Sequence, residues 1–190
     1  MTGFLFDTYA IQKNFLRATR IDQFVSQEFL DHYICHGSVQ NILLQLSTSF
    51  LNSNQSAFTL TGPYGSGKSS FALYLSALLD HDKKKYEQAK KKISSKSTPL
   101  HKNLNNINSV CLNGYFTIKV IGSRSNPIEI LAKAIDNSLE KNWPLKKELI
   151  KSLTVPTKPK LNHIFDKLEK LVTILNKHKL GLFLVIDEMG

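Results

Sequence analysis

Residues 62–69, Gly62-Pro63-Tyr64-Gly65-Ser66-Gly67-Lys68-Ser69, satisfy every position of the phosphate-loop pattern G-x-x-x-x-G-K-[ST]. The pattern constrains the fold because such a loop works only between a strand and a helix. The preceding residues, 57–61, form a short apolar run that predicts a buried strand. The following residues, 69–79, are apolar all round, as in a buried helix. A strand, glycine loop and helix in that order belong to an α/β fold, expected here as a three-layer arrangement of parallel strands flanked by helices.

The residue types state the chemistry. Gly62, Gly65 and Gly67 allow positive φ and a close backbone approach, so successive N–H groups form an anion nest at the positive end of the helix. Lys68 is expected to reach the β- and γ-phosphates and to act in catalysis, with the Ser69 hydroxyl as a magnesium ligand. Gly62, Pro63, Tyr64, Gly65, Ser66, Gly67, Lys68, Ser69 and Ser70 make up the expected nucleotide-binding set, Ser70 more through packing or capping. A glycine-rich turn used only for packing is the alternative, and it does not require the lysine, the serine and both flanks together.

The 190 residues, 42% of them hydrophobic, are enough for one domain with a substantial core. No run approaches 18 uninterrupted apolar residues and the first residues lack a basic signal-peptide region, so a cytoplasmic protein that does not enter a membrane is expected. Cys35 and Cys111 suit a reducing compartment. His32, Cys35 and His36 could hold a metal or lie on a helix face. No fourth ligand is evident, and structural zinc requires four, which favours the helix face.

The formal charge of +10 is uneven. Lysines 83, 84, 85, 90, 91, 92, 96 and 102 stand against only Asp82 and Glu87, among several Ser, Thr and Pro residues. This stretch reads as a helix extension melting into a flexible, solvated loop within an insertion at 81–110. Contact of 83–102 with nucleic-acid phosphates is the functional alternative, although Tyr86 alone could stack on a base and no arginine is present.

Elsewhere, residues 10–33 show one apolar helical face, broken near Arg20, and Gly37-Ser38 opens a second helix through Leu51 with Ile42, Leu43, Leu46 and Phe50 inward. Residues 1–52 are thus a helical prefix expected to pack on a nucleotide core at 53–190. Residues 115–121 alternate as a strand. Asn126-Pro127-Ile128-Glu129 starts a helix running to about Lys141, a short helix is expected over about 145–153, and 161–175 is amphipathic. The last strand, 182–186, is continuously apolar, as in a parallel sheet covered on both faces.

Asp187 and Glu188 follow that strand directly, at the edge where open α/β sheets bind ligands. Asp187 is expected to hold magnesium and Glu188 to activate the attacking water. An acidic strand-to-loop turn is the plain alternative.

The pair GPYGSGKS and LFLVIDE resembles the Walker A and Walker B motifs of P-loop NTPases of the additional-strand, catalytic-glutamate division, which includes AAA+ and STAND-type ATPases. FTLTGPYGSGKSSFALYL, YFTIKVIGSR and LVIDEMG together are similar to large bacterial ATPases of anti-phage defence systems. The resemblance implies ATP binding and Mg²⁺-dependent hydrolysis within a larger complex or homo-oligomer. Arg124 could act in trans on a neighbour's nucleotide, but a solvated loop residue is the favoured reading. It also implies a further strand between the two Walker strands. The expectation is an N-terminal fragment or truncated product of a longer ATPase, a strand supplied by another chain, or direct adjacency of the two strands. Asp187-Glu188-Met189-Gly190 also spells D-x-x-G, a GTPase switch pattern, and a nucleotide-binding regulatory module without turnover is a third possibility. Glu188 and the long span from Gly67 to Asp187 favour the ATPase.

Overall fold

The computed structural model describes residues 19–22, 25–53, 55–146, 153 and 159–187. Helices α1 (Gln27–His32), α2 (Gly37–Ser53), α3 (Lys68–Leu78), α4 (Lys83–Lys90) and α5 (Thr98–Val110) precede strand β1 (Tyr115–Ile121). Helices α6 (Pro127–Asn142) and α7 (Leu161–Lys177) then lead to β2 (Gly181–Asp187). The architecture is mixed α/β around a two-stranded parallel sheet, in register from Tyr115 opposite Gly181 to Ile121 opposite Asp187. Parallel strands cannot be joined by a tight turn, and α6 with α7 supplies the crossover.

Local chemistry fixes the helix starts. The Asn126 side chain accepts from the Ile128 amide at 2.9 Å and Pro127 occupies the first turn of α6, where its missing N–H costs nothing. Asp82 accepts from the Lys84 amide at 2.9 Å to open α4, and Ser26 accepts from the Phe29 amide at 3.0 Å to open α1.

Period-two alternation then sorts β1 between two cores. Phe116, Ile118 and Val120 are buried with Ile135, Leu139, Ile164, Leu171 and Leu175 of α6 and α7. On the opposite face, Ile121 and Val185 pack against a second cluster built by Leu30, Leu43, Phe71, Leu73, Tyr74 and Leu100. Helices pack on each face of the strand pair, but the full burial expected of β2 is not met: after Gly181 its residues are half-buried or exposed, with Leu184 and Ile186 the most open, because the helices cover β1 more completely than β2.

Two expectations are corrected. Residues 57–61 are exposed and form no strand, with Phe58 and Leu60 at 42% and 40% exposure. A parallel strand needs a neighbour, and the described ladder partner of β2 is β1; adjacency of 57–61 to β2 is therefore not seen among the described residues. The lysine-rich stretch is not a flexible loop but the two helices α4 and α5. Leu100, Leu104 and Ile107, at i, i+4 and i+7, bury one face of α5, and Ala89 and Ile93 anchor α4, where the Tyr74 hydroxyl donates to the Ala89 carbonyl at 2.9 Å. Lysines and polar residues dominate the composition, but these spaced apolar side chains decide the structure. Residues 10–18 and 23–24 of the prefix, and most of the helix expected over 145–153, lie outside the described residues.

Gly181 shows how tightly the sheet begins. A Cβ there would stand 2.3 Å from Tyr115 Cδ1 and 2.9 Å from Cys111 Sγ, and the Tyr115 ring is itself buried. Gly181→Ala should lower stability by about 1–3 kcal/mol, the range for overpacking a closed site. Urea denaturation measures this, and an unchanged midpoint would mean that the ring moves aside freely.

Candidate phosphate-binding site

The loop at 62–67 is exposed and ends at the N-terminus of α3. Gly65 and Gly67 have φ of 76° and 84°, the left-handed region that a side chain disfavours. Gly67 directly precedes α3, and no side chain caps the helix, so the first N–H groups of α3 are available to a ligand in the loop. At Gly62 a Cβ would lie 3.1 Å from Ser66 Oγ, a tight approach that the exposed serine side chain would have to relieve by shifting. The Ser66 amide donates to the Pro63 carbonyl at 3.3 Å.

Lys68 Nζ donates to the carbonyls of Gly62 and Pro63, at 3.0 and 2.8 Å. The ammonium is thus held across the loop. Tyr64 stands at the rim, 95% exposed, and Ser70 is half-buried on α3.

The second half of the site arrives along β2. Phe183, Val185 and Asp187 share one face by strand alternation, and Val185 packs on the cluster that includes Phe71 and Leu73 of α3. Asp187 therefore projects toward the phosphate loop. Ser69 Oγ donates to Asp187 Oδ2 at 2.7 Å across a sequence separation of 118 residues. The Gly122 amide donates to the Asp187 carbonyl at 2.7 Å, fixing the strand end that carries this carboxylate.

A hydroxyl and a carboxylate meeting beside a lysine and a helix N-terminus form a hard-oxygen donor pair suited to Mg²⁺, with anion donors adjacent. The residues present thus fit a magnesium-bound phosphate. Glu188 and Gly190 lie outside the described residues. Arg124 is exposed in the loop after β1. His32 Nδ1 lies 2.8 Å from the Glu28 carbonyl and Cys35 is buried near Tyr33 and Tyr74. Among the described residues no group of three or more His, Cys, Asp or Glu side chains could hold a metal.

Sequence reasoning missed Lys119. It lines a cleft of about 830 Å³ that also reaches Gly122, Ser123, Lys133 and Asp187. Burial pulls its ammonium down to about 8, with Asp80 opposing that shift, Lys85 adding to it and Asp22 opposing it more weakly. The available signal was polar Thr117 and Lys119 on one face of a strand whose two faces should both be covered; Thr117 Oγ1 is buried without a hydrogen-bond partner among the described residues.

No protein-family profile, no curated protein and no solved structure matches the chain.

The lowered Lys119 value has a definite sign. Below pH 8 the folded and unfolded chains both hold the proton, and the folded state bears the full burial penalty. Between about 8 and the ordinary 10.5 only the unfolded chain keeps it, so this residue's contribution to stability rises with pH. Lys119→Met should remove that rise. Comparing urea-unfolding free energies of the two proteins between pH 7.5 and 10 should show a difference that shrinks by up to ~1.4 kcal/mol per pH unit; a constant difference would rule out the buried titration.

Proposed function

We propose that this chain binds ATP with Mg²⁺ and hydrolyses it, as the nucleotide-binding part of a P-loop NTPase of the catalytic-glutamate division. The observation that carries the reading is the 2.7 Å contact from Ser69 to Asp187, because it joins two motifs recognised independently in the sequence. Left-handed Gly65 and Gly67 and the position of Lys68 support it from the phosphate side.

In this reading the backbone amides of 62–67 and the start of α3 receive the phosphate oxygens. Lys68 transfers its hydrogen bonds from the Gly62 and Pro63 carbonyls to the β- and γ-phosphates, where it meets a full negative charge. Ser69 and Asp187 hold Mg²⁺, which when bound neutralises charge developing on the phosphates. Glu188 orients and deprotonates the attacking water. The module acts within a homo-oligomer or larger complex, and Arg124, exposed in the loop after β1, is read as a solvated loop residue.

Helices on both faces of the β1–β2 pair support the finer proposal of a three-layer P-loop sheet. The proposed division is a prefix at 1–52 and a nucleotide core at 53–190 with an insertion at 81–110. Asn103 of α5 donates to Ser47 Oγ and Thr48 Oγ1 of α2 at 3.1 and 3.0 Å, which supports docking of the prefix on the insertion. Cys35 and Cys111 are both free thiols, in keeping with a cytoplasmic site of action. Among the described residues no helix is long and apolar enough to cross a membrane.

Lys68→Ala should weaken Mg·ATP binding by ~10- to 150-fold, the equivalent of about 1.5–3 kcal/mol for a hydrogen bond to a charged group. Calorimetric titration measures this, and wild-type affinity in the variant would remove the loop from nucleotide binding. Glu188→Gln should retain binding and lose steady-state phosphate release. Release at the wild-type rate would take the water-activating role away from Glu188. Binding without release by the unaltered protein would instead identify a regulatory module that does not turn over.

A further inference from the structure

Ordering of the lysine-rich stretch creates a surface that its sequence did not define. Helix α4 lies against α1, and the groove between them, about 720 Å³, is bordered by Lys83, Lys84, Lys91 and Lys92. Lys91 and Lys92 continue the helix by a turn, since the Lys91 amide donates to the Glu87 carbonyl at 3.1 Å. Two lysine pairs therefore stand about 12 Å apart along one helix, given a rise of 1.5 Å per residue.

The charges in this groove are poorly compensated. Among the described residues none of the four ammonium groups has a carboxylate within ion-pair distance, whereas Lys85 on the same helix does pair with Asp80. Lys92 Nζ donates to a neutral acceptor, the Asp31 carbonyl, at 2.6 Å. The two acids at the groove are Asp31 and Glu87, and the Asp31 carboxylate accepts from the neutral Gln88 amide at 2.8 Å. Four like charges held this close repel one another, and a polyanion bound across them removes that repulsion while releasing counterions.

We propose that the α1–α4 groove binds nucleic acid through its phosphate backbone, without reading bases. Of the remaining groove residues, Gln88 is held by the Asp31 carboxylate and the Gln27 carbonyl, and Gln27 supplies an uncharged side-chain amide that can hydrogen-bond phosphate or sugar oxygens. No apolar side chain lines the groove, which leaves nothing to insert into a lipid surface and no aromatic anchor for a protein partner. Lysines act here as point charges on phosphates rather than as the forked donors that read guanine. The proposal is independent of the ATPase reading.

The test is fluorescence anisotropy of a labelled 30-base-pair duplex of arbitrary sequence with the full chain, from 50 to 200 mM NaCl. Four phosphate contacts predict a log–log slope of about −3.6, so affinity should fall ~150-fold over this range. The variant K83Q/K84Q/K91Q/K92Q should bind with a slope near zero, and each half, K83Q/K84Q or K91Q/K92Q, should keep about half of it. The control K146Q/K160Q/K170Q/K177Q removes the same charge from exposed positions elsewhere and should leave the slope intact, with thermal melts confirming that every variant is folded. Equal losses in the two quadruple variants would reduce the effect to the overall charge of the chain and overturn the groove. So would absence of binding by the wild type at 50 mM NaCl, or tighter binding to vesicles containing 30% phosphatidylserine than to the duplex.

Discussion

A parallel strand pair presents two apolar faces to water, and it persists only when helices cover both. In this chain two separate clusters supply that cover, α6 and α7 on one face and α1 to α5 on the other, and they bury β1 more completely than β2. The geometry of the candidate site depends on the ladder. Its register places Asp187 opposite Ile121, the Gly122 amide closes onto the Asp187 carbonyl, and alternation turns the Asp187 carboxylate toward α3. Ser69 then needs only to lie in the first turn of α3, which packs on that same face, for the hydroxyl to reach the carboxylate. Burial of apolar faces thus fixes the distance between two polar groups far apart in sequence.

Much of this was legible because the patterns are strong. The phosphate-loop residues, the alternation of 115–121, the capping signal at Asn126 with Pro127 and the amphipathic period of 161–175 each constrain local structure on their own. The failures have equally local causes. Between Lys83 and Val110 the mean composition is that of a solvated segment, whereas Ala89, Ile93, Leu100, Leu104 and Ile107 are few but correctly spaced to bury a face. The apolar run at 57–61 satisfies strand preference, but preference supplies no hydrogen-bond partner. Strand formation is a property of pairs, and a single-sequence reading sees one member at a time.

The same distinction explains the exposed apolar residues on the sheet. Leu182, Leu184 and Ile186 share the face of β2 that meets α7, yet Leu182 packs into the core while Leu184 and Ile186 are 38% and 49% exposed. Burial declines toward the end of the strand that carries Asp187. On α7 itself Ile164, Leu171 and Leu175 are buried, whereas Leu161 and Phe165 are 49% and 59% exposed. A hydropathy pattern reports what an element can bury, and the tertiary neighbours decide how much of it is buried.

The phosphate loop separates two contributions that motif recognition runs together. Its left-handed turns at Gly65 and Gly67 are permitted by residue type and are already present in the folded chain, so their ordering belongs to folding of the loop. Lys68 is also already immobilised, since its ammonium bridges the Gly62 and Pro63 carbonyls. In the proposed reading an incoming phosphate would meet an ordered cradle and replace two partial negative charges with formal ones. The ordering entropy of a lysine side chain, up to about 2 kcal/mol, is largely absent from that exchange. What would remain to drive binding in the proposed reading is electrostatic: amide dipoles at the start of α3, one ammonium group, and a cation held by the Ser69–Asp187 oxygen pair that the sheet places.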